Sequence, residues 1–331
     1  MSTTENIGPL LRVQGLRVEF PTRRGVLLAL DDVSFEIAPG EILGFVGESG
    51  AGKSLTGMSI LGLLDPPGRV AAGEVWLGGR RIDKLTHRDM RRIRGKEIGA
   101  VFQDPLMSLN PLLQIGDQLV ETIRTHLPVS QSQAVERALA LMRAVGIPAP
   151  EARFTAYPHQ FSGGMRQRIV IALALCAEPR LVVADEPTTA LDVSIQAQVL
   201  QLLRKLCREN GTAMMLVTHD MGVIAETADR VAVMYAGRIV EIGAVEDVIR
   251  DPVHPYTRGL MGAIPSLAPV LGPLAQIDGA MPRLNARPDG CAFNPRCPEA
   301  KKQCREQSPR LETHGARRVA CWVASERLVP A

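Results

Sequence analysis

The sequence predicts an α/β protein, and three of its features carry that prediction. An apolar run of strand length over residues 41–46 leads into a glycine-rich segment over 47–54, and a helical pattern follows over 55–64. After this point, apolar strands alternate with helical patterns, as in a parallel sheet covered by helices. Before it, residues 10–38 alternate apolar and polar side chains, which predicts antiparallel strands. We therefore expect a parallel α/β core with an antiparallel β subdomain.

Composition narrows the class of protein. The 331 residues suggest about two domains, and 46% hydrophobic with 22% charged residues is typical of a globular chain. The 38 basic and 35 acidic side chains leave a net charge of +3, which gives no reason to expect nucleic acid as a partner. The longest apolar run, residues 169–177, is about half of a membrane span, and the N-terminus does not resemble a secretory signal. We expect a cytoplasmic protein that reaches a membrane only by docking onto another protein.

The antiparallel region is the first predicted element. A turn over residues 21–25 breaks the alternation into two strands, and a strand over 74–77 followed by Gly78-Gly79 predicts a second hairpin. A further strand is expected over 96–102. Together these strands frame the glycine-rich segment and its helix.

The second half of the chain carries helices and buried strands. Residues 105–178 have apolar side chains at three- and four-residue spacing, which predicts a helical subdomain. The elements expected beyond it are a strand over 181–185, a helix over 193–210, a strand over 213–218, a short helix over 221–228 and a hairpin over 230–242. After residue 252 prolines accumulate and the periodicity is lost. We expect one domain over residues 1–252 and a small irregular C-terminal extension over 253–331.

The glycine-rich segment fits the phosphate-loop pattern G-x-x-x-x-G-K-[ST] at every fixed position. Its glycines let the backbone curl so that successive N–H groups point at phosphate oxygens, and the following helix adds its free N–H groups. Lys53 is expected to contact the β and γ phosphates, and the Ser54 hydroxyl to bind Mg²⁺. The predicted nucleotide-binding residues are Gly47, Glu48, Ser49, Gly50, Ala51, Gly52, Lys53 and Ser54.

Two adjacent acids end the strand over residues 181–185. Asp185 at its last position is suited to hold Mg²⁺, and Glu186 is suited to act as the base or to orient the attacking water. Binding of a nucleotide does not by itself imply hydrolysis, which needs both functions. The pair therefore predicts an enzyme that hydrolyses the bound nucleotide.

The segment Ser162-Gly163-Gly164-Met165-Arg166-Gln167 is a second anion-binding helix start, with a serine hydroxyl, exposed N–H groups and the helix dipole. This segment resembles the signature motif of ABC-type ATPases, with Phe161 and Met165 departing from that family's commonest residues. Three further motifs of this family occur here in the family's order. Gln103 matches the glutamine of the Q-loop, Ala190-Leu191-Asp192 matches the D-loop, and His219 matches the switch histidine. The resemblance implies an ABC-type P-loop NTPase core, with ATP and Mg²⁺ as ligands. It also implies that Glu186, His219 and Gln103 act in catalysis, and that Gln103 contributes to the Mg²⁺ site.

Four short segments are similar to the sequences of ATP-binding subunits of oligopeptide and dipeptide importers. They are residues 102–105, 108–111 and 161–168 and the segment His254-Pro255-Tyr256-Thr257. That resemblance implies an ATPase at the cytoplasmic face of the inner membrane, working beneath two transmembrane permease subunits. A homologous second ATP-binding subunit and an extracytoplasmic solute-binding protein are the other implied partners. In the family's head-to-tail dimer, Ser162–Gly164 of one chain closes over ATP held by the partner's phosphate loop.

Three alternatives to peptide import stay open from the sequence. The same cassette could serve nickel complexes or another small solute. A soluble ABC ATPase acting on ribosomes or DNA usually has tandem cassettes or a coiled-coil insertion, and this chain has neither pattern. A regulatory subunit without turnover is disfavoured by the presence of Glu186 and His219.

The residue that stacks on the adenine base departs from the family pattern. Related cassettes usually place an aromatic residue at a position that falls at or near Arg24 here. A guanidinium can stack on an aromatic base, and Phe20 is the nearest aromatic alternative.

Cys291, Cys297, Cys304 and Cys321 follow the spacing C-x5-C-x6-C-x16-C within the extension. Disulfides are disfavoured in a reducing cytosol, so we expect a bound metal ion or cluster to cross-link these cysteines. The spacing lacks the short zinc knuckle and matches neither common ferredoxin pattern, so it does not decide between zinc and an iron–sulfur cluster. Similarity to the peptide-importer extension favours a [4Fe–4S] cluster over Zn²⁺. Cys176 and Cys207 lie on apolar helix faces and are expected in the core.

Overall fold

The structure is a computed structural model of the chain and describes residues 8–188, 192–263 and 276–327. The strands are β1 (Leu11–Thr22), β2 (Gly25–Ile37), β3 (Ile42–Val46), β4 (Arg69–Leu77), β5 (Arg80–Arg81), β6 (Ile98–Val101), β7 (Leu181–Asp185), β8 (Ala213–Val217), β9 (Arg230–Tyr235), β10 (Arg238–Ala244), β11 (Glu312–His314) and β12 (Arg317–Val319).

The helices follow the predicted alternation with the strands. They are α1 (Lys53–Leu61), α2 (His87–Ile93), α3 (Pro105–Ser108), α4 (Ile115–His126), α5 (Gln131–Ala144), α6 (Pro150–Arg153), α7 (Gly163–Leu175), α8 (Val193–Glu209), α9 (Met221–Thr227), α10 (Val245–Arg250), α11 (Pro255–Gly262), α12 (Lys302–Glu306) and α13 (Trp322–Arg327), with 3-10 turns at Pro158–Gln160 and Leu284–Ala286. No described helix is long and apolar enough to cross a membrane.

Contacts divide the chain into two compact units. The described part of the first unit comprises residues 8–11, 37–42, 76–188 and 192–217. Its strands β6, β7 and β8 are parallel, with Ile98 opposite Leu181 and Leu181 opposite Ala213. Every residue of β8 and the first four of β7 are buried, which explains their continuous apolar sequence.

Helices α3 to α7 occupy the region predicted as the helical subdomain. Ser130 begins α5 with a capping box: its hydroxyl accepts from the Gln133 N–H, and the Gln133 side chain accepts from the Ser130 N–H. Helix α2 was not predicted. It is seven residues long and is capped by Thr86, the residue before it, whose hydroxyl accepts the Asp89 N–H at 3.2 Å. With so few residues, it shows no sustained periodicity in the sequence.

The second unit contains residues 12–36, 43–75, 218–263 and 276–327 of the described chain. Here β1 lies between β2 and β4. Only residues 23 and 24 separate β1 from β2, so these two neighbours form an antiparallel hairpin with its turn before Gly25, as predicted. Strand β3 is parallel to β9, and β9 forms an antiparallel hairpin with β10 that turns at Ala236-Gly237 as predicted.

The C-terminal extension is more regular than its sequence indicates. Strand β12 pairs with β10, placing Val319 opposite Glu241, and β11 pairs with β12. Both strands have three residues, too few for a recognisable alternation, and they gain order from the strand they pair with. Residues on both sides of the predicted boundary at 252 therefore pack within the second unit, and the boundary itself stays a prediction.

Candidate nucleotide site

The phosphate loop connects β3 to α1 in the second unit. Gly47, Gly50 and Gly52 have φ angles of +148°, +82° and +104°, the region that favours glycine. At Gly47 a Cβ atom would lie 2.3 Å from the Met234 carbonyl oxygen, so the loop also needs a residue without a side chain there. The backbone geometry therefore agrees with the prediction that these glycines let the loop curl.

Lys53 lies at the first position of α1, and only 6% of it is exposed. Its Nζ donates to the carbonyl oxygens of Gly47 at 2.7 Å and Glu48 at 3.2 Å, so its ammonium group is held over the loop. The next residue, Ser54, is exposed in the first turn of α1. No side chain caps this helix start, which leaves its backbone donors suited to an anion.

His219 belongs to the same unit and is exposed two residues after the end of β8. Both neighbours hold the backbone there: Thr218 N–H donates to the Phe45 carbonyl at 3.1 Å, and Asp220 caps α9 by accepting the Gly222 N–H at 2.8 Å. Phe45 is in β3, the strand that enters the phosphate loop. His219 is therefore carried by a segment tied to the base of that loop.

The first unit brings Gln103 and Glu186 together. Gln103 Nε2 donates to Glu186 Oε2 at 3.4 Å, although 83 positions separate them in the chain. Glu186 follows Asp185, the last residue of β7, and its N–H donates to the Val217 carbonyl of β8 at 2.9 Å. Two residues that the sequence assigned to one reaction thus share a hydrogen bond.

The signature segment lies at the start of α7 in the first unit. The Ser162 hydroxyl accepts from the Met165 N–H at 3.4 Å, as an N-cap does. At Gly164 a Cβ atom would lie 2.8 Å from Ile195 Cγ2 of α8, so this glycine permits close packing of the two helices. Asp192 is exposed at the N-cap of α8, while Ala190 and Leu191 of the predicted D-loop lie outside the described residues.

The two candidates for the adenine contact differ in their surroundings. Arg24 is exposed in the turn between β1 and β2, where its N–H donates to Thr22 Oγ1 at 3.2 Å. The ring of Phe20 lies against Gly68, because a Cβ atom built on Gly68 would be 2.7 Å from the Phe20 ring. Arg24 is thus the more accessible of the two, and its assignment stays a prediction.

The four cysteines of the extension gather in one region of the second unit. Cys304 and Cys321 are buried in an apolar cluster with Val319, and Cys291 packs against it. Burial raises the pKa of Cys291 to about 11, and the other three thiols add to the rise. The sulfurs of Cys291, Cys297 and Cys321 also accept backbone hydrogen bonds, from Phe293 to Cys291, from Glu299 to Cys297, and from Val323 and Ala324 to Cys321.

This arrangement does not by itself form a metal site. Within the described ranges, no three His, Cys, Asp or Glu side chains are placed to hold one metal ion. The predicted ligands are nevertheless close neighbours in the fold, because Cys291 packs against the cluster that holds Cys304 and Cys321. Cys176 and Cys207 are fully buried, as predicted, and burial raises the pKa of each to about 12.

Sequence reasoning missed two residues that contact the phosphate loop from the C-terminal region. Arg296 forms a two-pronged ion pair with Glu48, with N–O distances of 2.8 and 2.9 Å. Tyr256 Oη accepts the Glu48 N–H at 2.8 Å. Nothing in the local sequence indicates either contact, since Arg296 follows Glu48 by 248 positions.

Two family models match the chain. The model described as ABC transporter matches residues 30–189, and the model described as oligopeptide/dipeptide transporter, C-terminal region, matches residues 240–304. The first match includes the phosphate loop and the Asp185-Glu186 pair, and the second includes Tyr256 and Arg296. These matches confirm the resemblance that the motifs indicated.

Curated relatives cover nearly the whole chain. The dipeptide transport ATP-binding protein DppD of Haemophilus influenzae is 44% identical over 312 residues, 94% of each chain. The oligopeptide transport ATP-binding protein OppD of Salmonella typhimurium is 45% identical over 321 residues, 97% of this chain and 95% of the relative. A solved dimer of the ATP-binding cassette MJ0796, bound to ADP and Pi, is 30% identical with a TM-score of 0.63, covering 71% of this chain and 98% of that one. The chain therefore belongs to the ABC transporter family of ATP-binding proteins and carries the C-terminal region of the oligopeptide/dipeptide transporter group.

Proposed function

We propose that this protein hydrolyses ATP to drive the import of dipeptides or oligopeptides through a membrane transporter. The observation that carries the proposal is the phosphate loop with its held Lys53, in a chain that aligns over 94% of its length with a dipeptide transport ATP-binding protein. The Gln103–Glu186 hydrogen bond supports turnover rather than nucleotide binding alone. Nickel complexes are the second candidate cargo, because this chain does not contact the transported solute.

The site residues divide the work of the proposed reaction, and Gln103 takes part in two of its steps. Lys53 binds the β and γ phosphates, and Ser54, Asp185 and Gln103 are the residues we assign to Mg²⁺. Mg²⁺ held by these residues would neutralise charge that develops on the phosphates during transfer. Glu186 orients and deprotonates the attacking water, and its hydrogen bond to Gln103 keeps its carboxylate in place.

His219 and the signature segment complete the assignment. His219 contacts the γ-phosphate, and Ser162, Gly163 and Gly164 bind the ATP held by a partner chain. We propose that the partner is a homologous second ATP-binding subunit in a head-to-tail pair. ATP then joins the two chains, and its hydrolysis lets them separate.

The membrane partner docks on the segment that follows Gln103. Leu106, Met107 and Leu112 are large apolar residues of the first unit, and Met107 and Leu112 are 86% and 82% exposed. Exposed apolar residues concentrated in one short segment are typical of a protein interface. We assign this surface to a permease subunit, which places the protein peripherally at the cytoplasmic face of the inner membrane. Movement of Gln103 is then passed directly to the permease.

For the extension we propose a [4Fe–4S] cluster bound by Cys291, Cys297, Cys304 and Cys321, with Zn²⁺ as the alternative. Support comes from the four thiols gathered in one region. Burial raises the pKa of Cys291, Cys297 and Cys321, and backbone N–H donors to these sulfurs offset part of that rise. Anaerobically purified protein should contain iron and absorb visible light as an iron–sulfur protein does. Stoichiometric zinc without iron would exclude the cluster.

The substitution Glu186→Gln tests the proposed ATPase. It keeps the size of the side chain and removes the base, so phosphate release should fall at least about 100-fold while ATP binding is retained. Full-length protein is measured for phosphate release and for MgATP affinity by calorimetry, with Lys53→Ala as the variant that should lose binding. Hydrolysis at the rate of the unmodified protein would contradict the assignment of Glu186.

A further inference from the structure

We propose that Arg296 of the C-terminal region is a positioning residue for nucleotide binding, acting by holding and neutralising Glu48 in the phosphate loop. The inference rests on the proposed function, because it assumes that this loop binds ATP. It assigns to the extension a direct role at the nucleotide site. All the residues involved belong to the second unit.

The Arg296 side chain is fixed independently of Glu48. Its Nε donates to the Asp278 carbonyl at 2.7 Å, and its Nη2 also donates to the Ile277 carbonyl at 3.1 Å. The guanidinium lies 5.8 Å from the ring centre of Tyr235 and 5.9 Å from that of Phe293. Only 7% of the side chain is exposed. An arginine held on several sides presents its planar fork in a defined direction.

Both terminal nitrogens of the Arg296 guanidinium contact the Glu48 carboxylate. Nη1 lies 2.8 Å from Oε2 and Nη2 lies 2.9 Å from Oε1. Glu48 is 28% exposed, so water screens this pair only in part. A paired, partly buried carboxylate of this kind depends on its partner, because removing the arginine leaves a charge that is poorly solvated.

The backbone of Glu48 is held as firmly as its side chain. Its N–H donates to Tyr256 Oη at 2.8 Å, and its carbonyl accepts from Lys53 Nζ at 3.2 Å. Tyr256 is fully buried and packs edge-on against Tyr235, with ring centres 4.7 Å apart. The extension thus fixes the second residue of the loop, and that residue helps to orient the lysine assigned to the phosphates.

The positive charge of Arg296 is expected to affect nucleotide binding by neutralising Glu48. Glu48 is an acidic residue inside a loop that binds an anion, and an unpaired carboxylate there would repel the phosphates of ATP. With Arg296 in place, the pair is neutral overall. Loss of the arginine charge should therefore weaken nucleotide binding, and loss of the Glu48 charge should remove most of that effect.

The experiment uses the full chain with substitutions matched in size. Arg296→Met keeps a long apolar stem without the charge, and Arg296→Lys keeps the charge without the fork. Affinity for MgATP and a non-hydrolysable ATP analogue is measured by calorimetry, and KM and kcat by phosphate release. Thermal unfolding checks each variant, and Arg258→Met removes a comparable ion pair with Glu299, 2.7 Å long, that lies within the extension and leaves Glu48 untouched.

We expect Arg296→Met to weaken nucleotide affinity about tenfold and to raise KM, with kcat within about threefold of the unmodified protein. Arg296→Lys should recover most of that affinity, and R296M/E48Q should bind within about twofold of E48Q alone. An R296M variant that binds as well as R258M would overturn the proposal. So would a double variant that binds as poorly as R296M, since Arg296 would then not act through Glu48. Failure of the unmodified protein to bind MgATP would instead overturn the proposed function.

Discussion

The backbone of Glu186 adopts a left-handed conformation, with φ of +45°, directly after the buried strand β7. Residues other than glycine rarely take this conformation, and such strain is concentrated at functional sites. The hydrogen bond from its N–H to Val217 helps to hold it, and the Gln103 side chain contacts its carboxylate. The residue types at these positions were predictable from the motifs. The strained backbone that aims Glu186 was not, because it depends on the neighbouring strand β8.

At the scale of elements, the C-terminal region is attached through the buried carboxylate of Glu241 in β10. Its two oxygens accept the backbone N–H groups of Val253 at 3.0 Å and His254 at 2.9 Å, where the chain enters α11. His254 caps α11, since its Nδ1 accepts the Tyr256 N–H at 3.0 Å. The start of the helix that carries Tyr256 is thus linked to a strand of the same unit.

This cap predicts a pH dependence of stability. Burial, with a smaller effect of Arg258, lowers the pKa of His254 to about 3, and a neutral Nδ1 is what the cap requires. The unfolded chain has the ordinary histidine pKa, so it binds the proton first as pH falls through about 6.5. Stability contributed by neutral His254 is therefore lost below that pH, by about 1.4 kcal/mol between pH 7.5 and 5.5.

His254→Asn is the matched variant, because an asparagine oxygen can accept the Tyr256 N–H without titrating. Urea unfolding at pH 7.5 and 5.5 should show a stability loss about 1.4 kcal/mol smaller in H254N than in the unmodified protein. The charged groups beside His254, Glu241 and Arg258, are common to both proteins, and so is His126, whose pKa burial also lowers. Equal losses in the two proteins would show that His254 does not titrate as expected.

At the scale of the whole molecule, the proposed activity requires two chains, and Ser162 offers a direct test. Aspartate and asparagine both cap helices about as well as serine, so Ser162→Asp and Ser162→Asn should each preserve α7. The aspartate adds a negative charge where the partner's ATP phosphates are proposed to bind.

In the Glu186→Gln background, ATP should produce a dimer with S162N and not with S162D, while each chain still binds ATP through its own phosphate loop. Size-exclusion chromatography with light scattering measures the mass in the presence of MgATP. Dimerisation of the S162D/E186Q protein to the same extent as S162N/E186Q would argue against the head-to-tail arrangement. If the natural partner is a different subunit, the same comparison is made after mixing the two subunits.

Much of the fold was predictable because its signals are local. The buried strands β7 and β8, the hairpin at Ala236-Gly237 and the helices α4, α5, α7 and α8 each carry a pattern within one continuous stretch. Helix α2 and strands β11 and β12 have three to seven residues, too few to carry such a pattern. A capping side chain begins α2, whereas β12 pairs with the longer strand β10 and β11 pairs in turn with β12.

By itself, the sequence determined which chemistry this protein can perform, because the phosphate loop, the acid pair and the signature segment are each contiguous runs of residues. The tertiary structure alone decided which distant residues share an interaction. Gln103 meets Glu186 across 83 positions, and Glu48 meets Arg296 across 248. Such contacts are set by how strands pair and how buried side chains pack, and no spacing along the chain encodes them. For this reason the sequence indicated an independent extension, whereas the structure showed that the extension holds the phosphate loop.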